Sequence, residues 1–405
     1  MGLNCSCIHI SHPLSGYVIA LLAGLAVGVL HCSITELQAQ QRQDVWFQSS
    51  NVLSRQVALQ DTSLTPRQAE KKYEDTIYEL HGELVKPQPS REFKGEISLD
   101  PNNQLHPVIV FLVGSGPNST HTGLYTDFVR ENLEQIFLQH GVALMYFDKR
   151  GVGLSEGRWH RTDLYERADD ARAAVKFLQQ HPDIDPKRIG VVGHSQGGTV
   201  AQILGHLYGD SLAFIASLAA PTYDTQLRIT HEYYNGFLCS SEPEEVARDK
   251  SEKKAISDLN WVNVFPLIKT WRHLSELSEF SPAPHLAQLR LPSYFAFAEL
   301  DYYVSAEWGV SALKKAAGNS ANTTIQVFPG LDHDFRQTAD VCAGAELDLD
   351  DRRQNDASKN RALEEAKSTD SLESDELRQK KPNYSKDFQR NFQQWVLAEF
   401  RLNIL

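Results

Sequence analysis

Arg188-Ile189-Gly190-Val191-Val192-Gly193-His194-Ser195-Gln196-Gly197-Gly198 is an apolar run that stops at glycines placed on either side of one serine. The run from Arg188 to Val192 reads as a buried parallel strand, with a helix beginning around Gly198. Gly193 and Gly197 make room for a sharp strand-to-helix turn in which neighbouring side chains would collide, and the helix points its N-terminus at Ser195. Strand-sized runs lie on both sides of this stretch: Thr76 to Val85, Val108 to Val113, Val142 to Phe147, Leu212 to Leu218, Tyr294 to Ala298 and Thr324 to Phe328. Helical patterns separate several of them. Asp163 with Glu166 makes a capping-box start for one, whose Ala168, Ala171, Val175 and Leu178 share a face and which ends at His181-Pro182. Another carries a wide apolar stripe of Phe388, Phe392, Trp395, Val396 and Phe400. The alternation predicts an α/β fold with a doubly wound, mostly parallel sheet.

A serine hydroxyl is a weak nucleophile at neutral pH, so Ser195 needs a base to take its proton and a carboxylate to orient that base. Asp301 follows the strand Tyr294 to Ala298, and His333 follows the strand Thr324 to Phe328. Both positions lie just beyond strand C-termini, where such sheets place their chemistry. Glu299 is the rival acid, and Asp332 and Asp334 suit a turn around His333. An oxyanion formed on a substrate needs two backbone donors, for which the N–H groups of Ser115, in Gly114-Ser115-Gly116-Pro117, and of Gln196 are the candidates.

Taken in order, these motifs resemble the α/β-hydrolase superfamily over roughly residues 75 to 400, and within it the bacterial esterases related to serine aminopeptidase-like and acyl-thioester-hydrolase-like members. Those members carry a Gly-Ser-Gly-Pro loop, here Gly114 to Pro117, and an Asp-x-Arg-Gly-x-Gly-x-Ser segment, here Asp148 to Ser155. The resemblance implies that Asp148 and Arg150 tie down loops. It also implies a helical cap inserted after the strand Leu212 to Leu218, a role that residues 221–290 suit, with Trp261, Phe265 and Trp271. The activity it implies is hydrolysis of an ester, thioester or peptide bond through an acyl-enzyme. An acyltransferase on the same scaffold and a binding protein with a retired fold are the alternatives.

The chain of 405 residues carries 52 acidic and 40 basic residues, a formal charge of -12, and no Lys/Arg stripe, which argues against nucleic acid. The expected partner is a small-molecule or peptide acyl substrate. Neither CxxC nor Cys/His spacing appears, so no metal and no cofactor is expected. Cys5, Cys7 and Cys32 lie near the N-terminus; Cys239 and Cys342 are either free thiols or, outside the cytosol, a disulfide. Met1 to Thr35 holds no charged side chain except histidine, and Leu14 to Leu30 is apolar apart from Ser15 and glycines. Residues 1–39 thus read as a signal peptide cleaved after Leu37-Gln38-Ala39 or as a membrane anchor through residues 13–34, and the protein as periplasmic or secreted. Met1-Gly2 with Ser6 and Leu30-His31-Cys32 offer two weaker lipidation patterns. Residues 40–72 read as a polar arm ahead of a domain over 73–405, and residues 340–381 as a charged, mobile insertion.

Overall fold

The computed structural model describes residues 41–65, 68, 72–73, 76–87, 105–120, 124–318, 321–347 and 382–402. The chain divides into two units, Met1–Gln41 and Arg42–Leu405. The expected export segment 1–39 and most of the expected insertion, residues 348–381, lie outside the described residues. Among those described, no helix is long and apolar enough to cross a membrane.

Eight strands form one sheet in the order β1-β2-β4-β3-β5-β6-β7-β8. They are β1 Gln41–Ser50, β2 Ile77–Lys86, β3 His106–Leu112, β4 Ala143–Phe147, β5 Ile184–His194, β6 Phe214–Leu218, β7 Ser293–Ala298 and β8 Thr323–Phe328. β2 runs antiparallel to β4, and every pairing from β4 to β8 is parallel. Alternation along the strands feeds two cores. Val108, Val110 and Leu112 of β3 pack with Ala168, Ala171, Val175 and Leu178 of helix Leu164–Gln179 and with Val200, Ile203 and Leu204 of helix Gln196–Tyr208. Ile109 and Phe111 point the other way, into the core of Phe128, Phe388, Phe392 and Val396. This two-faced burial is what a continuous apolar strand predicts.

The helices are numbered α1 Leu53–Gln60, α2 Leu124–Val129, α3 Leu164–Gln179, α4 Gln196–Tyr208, α5 Thr225–Cys239, α6 Glu244–Val264, α7 Lys269–Leu277, α8 Ala306–Ala317 and α9 Lys386–Glu399, leaving aside short turns. α3 begins at the full capping box of Asp163 and Glu166. α9 is capped by Ser385, and its Phe388 ring stacks on Phe335 at 4.0 Å, so the last helix packs directly behind the loop that carries His333.

The reading of residues 40–72 as a polar arm does not hold. β1 is a strand of the sheet, and its Val45 and Phe47 join the main core, as does Leu53 of α1. Only three alternating positions of β1 turn inward, among glutamines that hide the period. α1 has no side-chain cap of its own. Instead the Asp169 carboxylate of α3 accepts the N–H groups of Val52, Leu53 and Ser54 at 2.9, 2.7 and 3.0 Å. A cap supplied from more than a hundred residues away leaves no local signal.

Arg150 fastens the same corner. Its guanidinium, 1% exposed, donates to Asp170 at 2.8 Å and to Asn51 at 2.8 Å and lies 4.3 Å over the Tyr78 ring.

Residues 221–290 carry α5, α6 and α7, held together by a small core of Ile229, Ala255, Leu259 and Val262 with Tyr233 and Leu274 against it. Trp261, Phe265 and Trp271 are not in that core but exposed on this layer. Cys239, closing α5, is disulfide-bonded to Cys342 in the helical turn 341–347, which resolves the choice between thiols and bridge. The bridge closes a separation of 103 residues, which the loop-entropy account values at about 4–5 kcal/mol.

Candidate active site

The turn between β5 and α4 is built by exclusion. A Cβ on Gly193 would sit 2.1 Å from the Gly197 carbonyl oxygen, and one on Gly197 would sit 2.0 Å from that of Leu112 at the end of β3. Both contacts are shorter than any side chain tolerates, so both glycines are required. Between them Ser195 takes φ 54 and ψ -127, outside the ordinary regions for a residue with a side chain, and its N–H donates to Leu218 at 2.8 Å. Ser195 is left partly exposed at the mouth of the sheet.

Asp301 leaves the end of β7 and is 3% exposed. One carboxylate oxygen accepts the N–H groups of Tyr303 and Val304 at 2.8 and 2.9 Å, and the other meets His333 Nδ1 at 2.7 Å. The backbone bonds fix the carboxylate, and the carboxylate fixes Nδ1 as the protonated ring nitrogen, leaving Nε2 as the basic one. Glu299 does something else, accepting the Gly330 N–H at 2.9 Å. Asp332 is the turn residue the sequence suggests: it accepts the N–H groups of Asp334 and Arg336 and pairs with the Arg336 guanidinium. Burial outweighs Arg336 there and raises the Asp332 carboxyl to about 6.

Ser115, Ser195, Gln196 and His333 line one cavity of about 750 Å³, with Trp159, Leu274, Leu277 and Phe280 among its apolar walls. The backbone N–H groups of Ser115 and Gln196 have no acceptor among the described residues. Four of the five residues that the sequence assigns to the chemistry therefore border one space, and the fifth, Asp301, is buried behind His333. Among the described residues no group of three or more His, Cys, Asp or Glu side chains could hold a metal ion.

Sequence reading missed a chain of contacts behind the site. The Gly114 N–H donates to Tyr125 Oη at 2.8 Å, Tyr125 Oη meets His194 Nδ1 at 2.9 Å, and His194 Nε2 meets the His333 carbonyl at 2.9 Å. A carbonyl only accepts, so His194 carries its proton on Nε2 and accepts the Tyr125 hydroxyl on Nδ1. His194 is visible in the sequence only as the variable second residue of the elbow, and Tyr125 lies outside every motif.

A family model described as serine aminopeptidase, S33, matches residues 108–337, more than half of the chain. The chain belongs to this family. It is an α/β-hydrolase of the serine-hydrolase type. A thiohydrolase of Aspergillus aculeatus is 38% identical over 68 residues, 16% of this chain and 21% of that protein. A polyketide transferase of Stachybotrys chlorohalonatus is 35% identical over 89 residues, 22% and 29% of the two chains. The chain thus spans less than a third of the length of these curated relatives. Among solved structures it is similar to a Pyrococcus furiosus esterase, with TM-score 0.46, 15% identity and coverage of 81% and 91% of the two chains. An α/β-hydrolase of Penicillium has TM-score 0.46, 14% identity and coverage of 78% and 99%.

In this S33 hydrolase two site histidines are held neutral. Burial, helped by the neighbouring His333, lowers His194 to about 4, and burial with Lys149 and Arg167 nearby lowers His273 to about 3. Between their ordinary value and these values the unfolded chain binds protons that the folded one refuses, so stability should fall as pH drops from about 6.5 to 4. His194 alone accounts for about 3 kcal/mol over that window. Urea midpoints at pH 7.5 and 4.5 should differ accordingly, and His273→Gln should lose less between the two. Equal losses in both proteins would show that His273 does not resist protonation.

Proposed function

We propose that this protein cleaves a carboxylic ester, a thioester or a peptide bond through an acyl-enzyme, with Ser195 as nucleophile, His333 as base and Asp301 as its orienting acid. The observation that carries the reading is the His333–Asp301 hydrogen bond at 2.7 Å beside the cavity that Ser195 enters. In this mechanism His333 Nε2 takes the Ser195 hydroxyl proton as Oγ bonds to the acyl carbon. The carbonyl oxygen becomes an oxyanion, which the Ser115 and Gln196 N–H groups stabilise. His333 gives its proton to the leaving group, and water then repeats the sequence to release the acid. The apolar walls favour an apolar acyl group.

Mixing the protein rapidly with a p-nitrophenyl ester should release a burst of nitrophenol approaching one equivalent per protein wherever deacylation is the slower step. Turnover lost in wild type, or kept in Ser195→Ala, would overturn the reading. An acyltransferase is the second reading, favoured by the polyketide transferases among the relatives. A thiol or amine acceptor that diverts most of the acyl group from water would select it.

Export, as a periplasmic or secreted protein with or without membrane association through residues 13–34, is also part of the proposal. It is supported by the Cys239–Cys342 bridge, since disulfides persist mainly in oxidising compartments. N-terminal sequencing of natively produced protein tests it, an intact residue 1–39 segment excluding cleavage.

A further inference from the structure

Two basic side chains with no part in the chemistry above are buried directly behind the proposed oxyanion donors. Lys149 is 5% exposed and Arg167 6%. Neither forms an ion pair with a carboxylate among the described residues; both spend their hydrogens on carbonyl oxygens. Lys149 Nζ donates to the Gly114 carbonyl at 2.6 Å. Arg167 Nη2 donates to the Val113 carbonyl at 2.7 Å, and Nη1 donates to the Gln196 side-chain oxygen. The Gln196 amide in turn reaches His273 Nε2 on α7 at 3.1 Å. Asp148 and Asp170 act on them only through space, without ion-pair contact, and burying cations with no carboxylate in contact is costly, which turns attention to what their hydrogen bonds hold in place.

The peptide plane says what that is. The Gly114–Ser115 peptide is trans, so its C=O and N–H point in opposite directions. Lys149 holds the oxygen end inward, and the Ser115 N–H is thereby aimed outward, into the cavity that Ser115 lines. Tyr125 accepts the preceding N–H, that of Gly114, and Arg167 holds the carbonyl of the same Val113–Gly114 peptide, so the adjoining plane is anchored at both ends. Arg167 joins the two sides of the site, holding the strand end before the loop and the side chain of the residue that supplies the other donor.

We propose that Lys149 and Arg167 are positioning residues for the reaction, locking the Ser115 and Gln196 N–H groups into the geometry an oxyanion requires before substrate arrives. The inference rests on the serine-hydrolase reading above. Burial pulls Lys149 well below its ordinary value and Arg167 down to about 10, and the Gly114 carbonyl accepts from the lysine nitrogen in either protonation state. Preorganisation of this kind acts on the charge that develops in the transition state and leaves the ground-state ester nearly untouched.

The test compares wild type, Lys149→Met, Lys149→Gln, Arg167→Gln and Ser195→Ala with a p-nitrophenyl ester and with a trifluoromethyl ketone that forms a tetrahedral adduct. Lys149→Met should lower kcat about a hundredfold with KM within about threefold, and weaken the ketone by a similar factor. Lys149→Gln, which keeps length and a donor, should recover part of both losses, and is the variant to measure should Lys149→Met not fold. Arg167→Gln should weaken the ketone more than the ester. A merely structural role would lower the melting temperature and leave kcat per folded molecule and ketone affinity unchanged, and that result would overturn the inference. An active Ser195→Ala would overturn the reading beneath it. An inactive Ser195→Ala beside an unslowed Lys149→Met would remove this inference alone.

Discussion

Ser195→Ala should lower kcat for an activated ester by about six orders of magnitude, while the protein folds as before. The size follows from how the parts act together. Without Oγ there is no acyl-enzyme to form, so the orientation of His333 by Asp301 has nothing to act on, and only binding and the oxyanion donors remain. Alanine adopts the unusual backbone of this position no less easily than serine, and the turn is enforced by Gly193 and Gly197, not by the hydroxyl. The urea midpoint should therefore stay close to that of wild type. A loss of activity that came with a large loss of stability would point to an unfolded site instead of a missing nucleophile.

Asp301→Asn should cost about four orders of magnitude in kcat. Asparagine can still accept the N–H groups of Tyr303 and Val304 through its oxygen, which turns its amide toward His333 Nδ1. The amide donates where the carboxylate accepts, so the proton is driven onto Nε2, and the base faces Ser195 with the wrong tautomer. Glu299→Gln is the matched control, because its oxygen can keep the Gly330 N–H; its effect should be about threefold or less. Steady-state kinetics on both variants, normalised to folded protein, decides between the two acids, and the reverse ranking would show that Glu299 is the partner of His333.

The sequence was legible where the chemistry is local. The glycines around Ser195 must be there because two backbones meet there, and the strand before them is buried on both faces, so its run of apolar residues is unbroken. The capping box of Asp163 and Glu166 is spelled out within four residues. Asp301 and His333 could be picked because each follows a recognisable strand. What stayed hidden depends on distant partners. α1 takes its cap from Asp169, and β1 shows too few apolar residues to stand out from its glutamines. Cys239 and Cys342 lie 103 residues apart, and spacing alone cannot pair them. In the segment Asp148 to Ser155 attention falls on Asp148 and Arg150, while Lys149, read as a variable position, is the residue that reaches the Gly114 carbonyl.

The most direct measurement is the site of attack by a fluorophosphonate probe, read by mass spectrometry of the intact protein and then of its peptides. The account predicts one adduct per chain, on the peptide that contains Ser195, formed at a rate that falls sharply when His333 is replaced by Gln. Ester turnover by folded protein that carries the adduct on another residue, or carries none, would contradict it.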